Sequence, residues 1–133
     1  MTAPIASRFG TEFGAVMAEL LMRVPGAYGV VLSDRDGYAI DFAHDPDAIE
    51  ELEMQIVGAQ CGLALLATAA SAKHRRLGRC EVMLETTGGS VLGTIVDEVD
   101  GLVLVMLLRA RAHLGLALRR FEAARVELAA LLP

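Results

Sequence analysis

Residues 102–108 read Leu-Val-Leu-Val-Met-Leu-Leu, seven apolar side chains in a row directly after an Asp-Gly pair at 100–101. Alternate side chains of a strand point to opposite faces, so a strand built from this run is apolar on both. Such a strand belongs at the centre of a sheet with a helical layer on each side. The remaining chain must supply those layers and the neighbouring strands within 133 residues, which fits one domain, predicted over 1–133 with a core of about 9–132.

The flanking segments provide them. Phe9, Phe13, Val16, Met17, Leu20, Leu21 and Val24 recur at helical spacing and end at Pro25-Gly26. Residues 28–32 and 38–42 read as two strands joined by a turn ending in Asp36-Gly37, because Asp-Gly tolerates the positive φ of a tight hairpin. After a loop at 44–47, with Asp47 as candidate cap, a helix is predicted over 47–76, acidic at its start and basic at its end, with Gly78 to close it. Residues 79–86, 90–96 and 102–108 form a three-strand meander whose turns hold Gly88-Gly89 and Asp100-Gly101. A last helix carries Leu114, Leu118, Phe121, Leu128 and Leu132 on one stripe. The expected class is α+β, an α/β sandwich of order α-β-β-α-β-β-β-α with a five-stranded antiparallel sheet.

Composition sets a second constraint. Hydrophobic residues make up 54% and charged residues 22%, too apolar for a disordered chain. A domain of this size buries only about two-thirds of the surface its unfolded chain exposes. The excess therefore points to a partner interface or to a membrane. Residues 54–72 form a run of 19 without a charge, but Gln55, Gln60, Thr68, Ser71 and many Ala and Gly insert poorly into lipid. A helix packed between protein surfaces fits better, with no direct membrane insertion. Gly58 and Gly62, four apart, are suited to close approach of another backbone. That backbone is either the chain's own sheet or the helix of a second copy, with Leu65, Leu66 and Ala69 continuing the glycine side and Cys61, Leu65 and Thr68 able to share either surface.

Function classes fall away in turn. The net charge of −5 and the scattered basic residues argue against nucleic acid. The exception, residues 73–76 (Lys-His-Arg-Arg) with Arg79, suits a helix C-terminus and leaves an anion or partner patch as its other use. Cys61 and Cys80 lack metal-ligand spacing and sit in apolar runs, as reduced thiols of a cytoplasmic protein would. Residues 1–10 lack the basic region and apolar core of a signal peptide. There is no phosphate-binding glycine loop or dinucleotide fingerprint, and Asp34-Arg35-Asp36-Gly37 has its glycine too early for a calcium loop. Ser33, Ser71 and Ser90 lie in no nucleophile elbow. His44 beside Asp41 and Asp45 could be a fragment of a catalytic set, and Glu81 and Glu85 share one strand face, but solvated loop and edge charges explain both groups better. No catalytic residue, cofactor or metal is expected.

Taken together, Val24-Pro25-Gly26, residues 30–37 (Val-Val-Leu-Ser-Asp-Arg-Asp-Gly), Leu63-Ala64-Leu65-Leu66, residues 81–85 (Glu-Val-Met-Leu-Glu) and the two glycine turns resemble the roadblock/LC7 domain family, whose bacterial members include MglB-like proteins. The resemblance runs from Phe9 to Leu132. It implies sheet order 2-1-5-4-3, the long helix on one face and the terminal helices on the other. It implies dimers formed by pairing the third strands edge to edge with the long helices side by side, here through Cys80, Val82 and Leu84 and the glycine seam. It further implies a noncatalytic regulator in bacterial polarity, motility or signalling, a homodimer or a heterodimer, that binds a small Ras-like GTPase and, in MglB-like members, activates hydrolysis without supplying an arginine finger. The GTPase would meet Glu50, Glu53, Met54 and Gln60 with nearby hairpin residues. A roadblock scaffold without GTPase activation and a PAS- or profilin-like small-molecule sensor are the alternatives.

Overall fold

In the computed structural model, residues 6–7 and 10–133 are described, the first two by backbone alone. The elements are β1 (Ala6–Ser7), α1 (Glu12–Arg23), β2 (Ala27–Ser33), β3 (Ala39–His44), α2 (Glu51–His74), β4 (Glu81–Thr86), β5 (Gly89–Asp97), β6 (Leu102–Arg109) and α3 (Leu114–Ala130). Phe9, expected on the first helix, lies outside the described residues. The sheet is antiparallel in order β1-β3-β2-β6-β5-β4. Its five main strands follow the expected order 2-1-5-4-3. The difference is β1, a two-residue strand beside β3, too short to show any periodicity.

β6 is central, and all its residues except Arg109 are buried. Leu104, Met106 and Leu108 face α1 and α3, where they pack with Met17, Leu20, Phe121 and Leu128. Val103, Val105 and Leu107 face α2, where they pack with Met54, Leu65, Val31 and Phe42. One run of seven apolar residues thus supports two cores, one on each face of the sheet.

Local chemistry sets the ends of the elements. Thr11 caps α1, its Oγ1 accepting from Gly14 N at 3.1 Å. Thr11 also donates through N and Oγ1 to the buried Asp41 Oδ2, at 3.2 and 2.6 Å, tying α1 to β3. Asp34 Oδ1 accepts from Asp36 N and Tyr38 N, and Gly37 has φ +86°, so the β2–β3 turn forms as its Asp-Gly pair predicts.

Two helix limits differ from expectation. Asp47 does not cap α2. Residues 45–49 form a turn of their own, with Asp47 N donating to Asp45 Oδ1 and Ile49 N to Asp45 O, so α2 starts at Glu51 with Glu50 as its N-cap residue. At the other end Arg76, not Gly78, takes the first left-handed position, at φ +58°. Leu77 N donates to Ala72 O and Arg76 N to Lys73 O, the paired bonds of a Schellman ending.

Candidate interaction surface

α2 buries only a narrow stripe: Met54, Gly58, Gly62, Leu65 and Ala72. Outside that stripe the helix remains apolar, with Leu52, Ile56 and Leu63 exposed at 66, 46 and 47%. Ala64, Ala67, Ala70 and Ser71 are exposed as well. A helix apolar around most of its circumference is expected where it is covered on more than one side. Among the described residues it is also the one helix long and apolar enough to cross a membrane by length and composition.

β4 lies at the sheet edge beside α2. It pairs with β5 on one side, and all six of its residues are exposed. Val82, Met83 and Leu84 are 41, 47 and 55% exposed. The opposite edge of the five main strands carries β1. An exposed edge strand offers unpaired N–H and C=O groups to another chain. Glu81 is held toward the α3 face, its carboxylate accepting from Arg79 at 2.9 Å while Arg79 also reaches Glu122 on α3. Arg125 donates to Glu122, and that hydrogen bond, with Arg79 nearby, holds the Glu122 carboxyl below its ordinary pKa.

The seam expected at the glycines is corrected by the structure. Gly58 lies on Val31 and Ser33, Gly62 on Val103, and Leu65 is buried against the sheet with its side chain next to the Cβ position of Gly93. These three contact the chain's own sheet and are not available to a second helix. Cys61 and Ala69 are half-buried and pack against the same core. Burial pushes the Cys61 thiol pKa up, in favour of the protonated form. Cys80 is half-buried just before β4, and Val82 and Leu84 stand exposed on the edge.

Of the residues assigned to a GTPase, Met54 is corrected likewise. It has no exposed surface, and its Sδ fills the space beside Gly29. Its acidic neighbours place it next to solvent in sequence, but the helical turn carries it inward. Glu50, Glu53 and Gln60 are exposed. The sequence expectation missed Leu52, Ile56 and Leu63, whose spacing alone does not separate a core face from an outer one.

The candidate catalytic fragment comes apart. Asp41 bonds to Thr11 on the α1 side, whereas His44 Nδ1 pairs with Ile49 O at 2.8 Å and its ring meets Phe42 on the α2 side. Positions three apart on a strand point to opposite faces, so Asp41 does not orient His44, and Asp45 pairs with Arg109 at 3.1 Å. Among the described residues no group of three or more His, Cys, Asp or Glu is placed to hold a metal ion.

No protein-family model and no curated protein matches the chain. Solved structures do. Myxococcus xanthus MglB is similar over 92% of this chain and 95% of its own, with TM-score 0.77 and 24% identity. A roadblock/LC7 domain from Streptomyces avermitilis is similar over 86% of this chain and 92% of its own, with TM-score 0.71 and 19% identity. The chain has the roadblock/LC7 fold. A further similar structure, an MglB with a tetrameric arrangement, has TM-score 0.73 and 22% identity over 88% of this chain and 85% of its own. At these identities the likeness is one of fold.

Proposed function

We propose that this chain is a noncatalytic roadblock regulator of the MglB-like kind, working in the cytoplasm as a dimer that binds a small Ras-like GTPase. The observation that carries the proposal is the joint exposure of the β4 edge and the apolar outer flanks of α2. Val82 and Leu84 would lie at the centre of a strand pair continuing the sheet into a second copy. The exposed Ala64, Ala67, Thr68 and Ser71 would let two α2 helices approach closely. Pairing hides the open strand edge and much of the uncovered apolar surface in one step, which accounts for the apolar excess without a membrane.

The GTPase would meet the N-terminal half of α2, at Glu50, Glu53 and Gln60, now joined by Leu52 and Ile56. Acidic residues around apolar anchors suit a protein contact. The test combines pull-down by a GTP-loaded Ras-like GTPase with single-turnover GTP hydrolysis. Nucleotide-dependent capture with faster hydrolysis supports an activator. Capture with an unchanged rate supports a scaffold. No capture in either nucleotide state contradicts GTPase binding.

A further inference from the structure

Where α2 ends, a groove of about 560 Å³ opens between the last turns of the helix, the end of β5 and the tip of the β2–β3 hairpin. Its walls hold Leu66, Ala69 and Ile95, and Arg35, Lys73, Arg76 and Arg79 also line it. One acidic side chain, Glu98, lines it too. A third of the chain's twelve Lys and Arg thus converge on one cleft of a protein whose net charge is −5.

These cations are not all consumed by the fold. Arg79 is engaged by Glu81 and Glu122. Arg35 is fixed by Nη2 donating to Glu98 O at 3.3 Å and Val99 O at 2.7 Å, both neutral carbonyls, so its charge is retained and oriented. Lys73 and Arg76 have no side-chain hydrogen bond or ion pair among the described residues. Capping does not require them, because Ser71 O, Ala72 O and Lys73 O already accept backbone N–H groups from Arg75, Leu77 and Arg76. Arg76 stands at φ +58°, where glycine would be free of strain. The Schellman ending sets this backbone angle, and the Arg76 side chain lines the groove.

We propose that this groove binds an acidic segment of a partner protein, an apolar side chain seated against Leu66 and Ile95 with flanking carboxylates on Lys73, Arg76 and Arg35. Charge complementarity with mixed apolar walls selects this occupant. A short peptide responds to charges within roughly 10 Å, the screening length in moderate salt, and so meets the basic groove alone. A membrane or a long nucleic acid extends past that length onto an acidic protein. The inference goes beyond GTPase binding and does not depend on it. Lys73 lies five residues beyond Thr68, about 140° round the helix, so the groove is on a different flank from the one proposed to meet a second copy.

The experiment is fluorescence anisotropy of the full chain with a fluorescein-labelled Glu-Glu-Leu-Glu-Glu peptide, with a Lys-Lys-Leu-Lys-Lys peptide as control. Saturable binding of the acidic peptide alone is expected, weakening as salt is raised. Arg76→Gly removes the charge and relieves the backbone, so it should bind about five- to tenfold more weakly while melting no lower than wild type. Lys73→Ala should show a similar loss. No saturable binding, equal binding of the basic peptide, or affinity unchanged in both variants would overturn the proposal. Sedimentation with phosphatidylserine vesicles in the absence of peptide binding would overturn it in favour of a lipid surface.

Discussion

Gly58 of α2 lies directly on Val31 of β2: a Cβ added to the glycine would collide with Val31 Cγ1 and stand 3.2 Å from Ser33 Oγ. Val31 is fully buried in the core beneath α2, so it has nowhere to move. The helix approaches the sheet this closely because position 58 carries no side chain. Gly58→Ala is therefore expected to destabilise the protein by about 1–3 kcal/mol, the usual cost of overpacking. Urea denaturation with an unchanged m-value would show it.

Gly62 makes the complementary case. A Cβ there would lie 3.7 Å from Val103 Cβ, an ordinary contact. Gly62→Ala is expected to stabilise by about 0.5–1 kcal/mol, because alanine restricts the unfolded chain and favours helix. Opposite signs for the two substitutions in the same denaturation experiment would establish which glycine is required for packing. Neither should change the mass in solution, because both face the chain's own sheet.

The buried Asp41 carboxylate accepts from Thr11 N, Thr11 Oγ1 and the backbone N of Phe42. Asp41→Ala leaves those donors without it, and losing the partner of a buried donor costs about 1–3 kcal/mol. The thermal midpoint should fall. Hydrogen exchange should accelerate first in the opening turn of α1, which Thr11 caps.

Glu122 gives the protein a small pH dependence. Its carboxyl is held below the ordinary value of 4.5 chiefly by the hydrogen bond from Arg125. A carboxylate with a lowered folded pKa stabilises the fold above its unfolded pKa, and the contribution disappears as pH falls through the folded value. The side chain is 43% exposed, so solvent screening limits the gain to less than about 1 kcal/mol. Glu122→Gln should be slightly less stable than wild type at neutral pH. The difference should shrink once pH drops below 4.5 and vanish in stronger acid, as chemical denaturation across pH would show.

Much of this was legible in the sequence, for identifiable reasons. Residues 102–108 lack polar side chains on both strand faces, and only a central covered strand satisfies that. The Asp-Gly pairs fixed two turns because few dipeptides tolerate their backbone angles. The use of the glycines was not legible: a four-residue spacing serves a neighbouring sheet and a neighbouring helix equally. Met54 was misplaced because its acidic flanks suggest solvent, while its helical angle puts it under Gly29. Arg76 was overlooked because glycine is the usual sign of a left-handed ending, and Gly78 stood two residues away. The exposed flanks of α2 were hidden by composition, since Leu52, Ile56 and Leu63 are the same kinds of residue as those in the core.

The most direct test of the account is the mass in solution, by light scattering at tens of micromolar, of the wild-type chain and of Leu84→Lys. The β4 edge and the outer flank of α2 predict about twice 14.1 kDa for wild type. Leu84→Lys sets like charges against each other near the centre of the strand pair and should shift the mass toward 14.1 kDa without lowering the thermal midpoint by more than its surface position warrants. A wild-type chain of 14.1 kDa across that range would contradict the dimer.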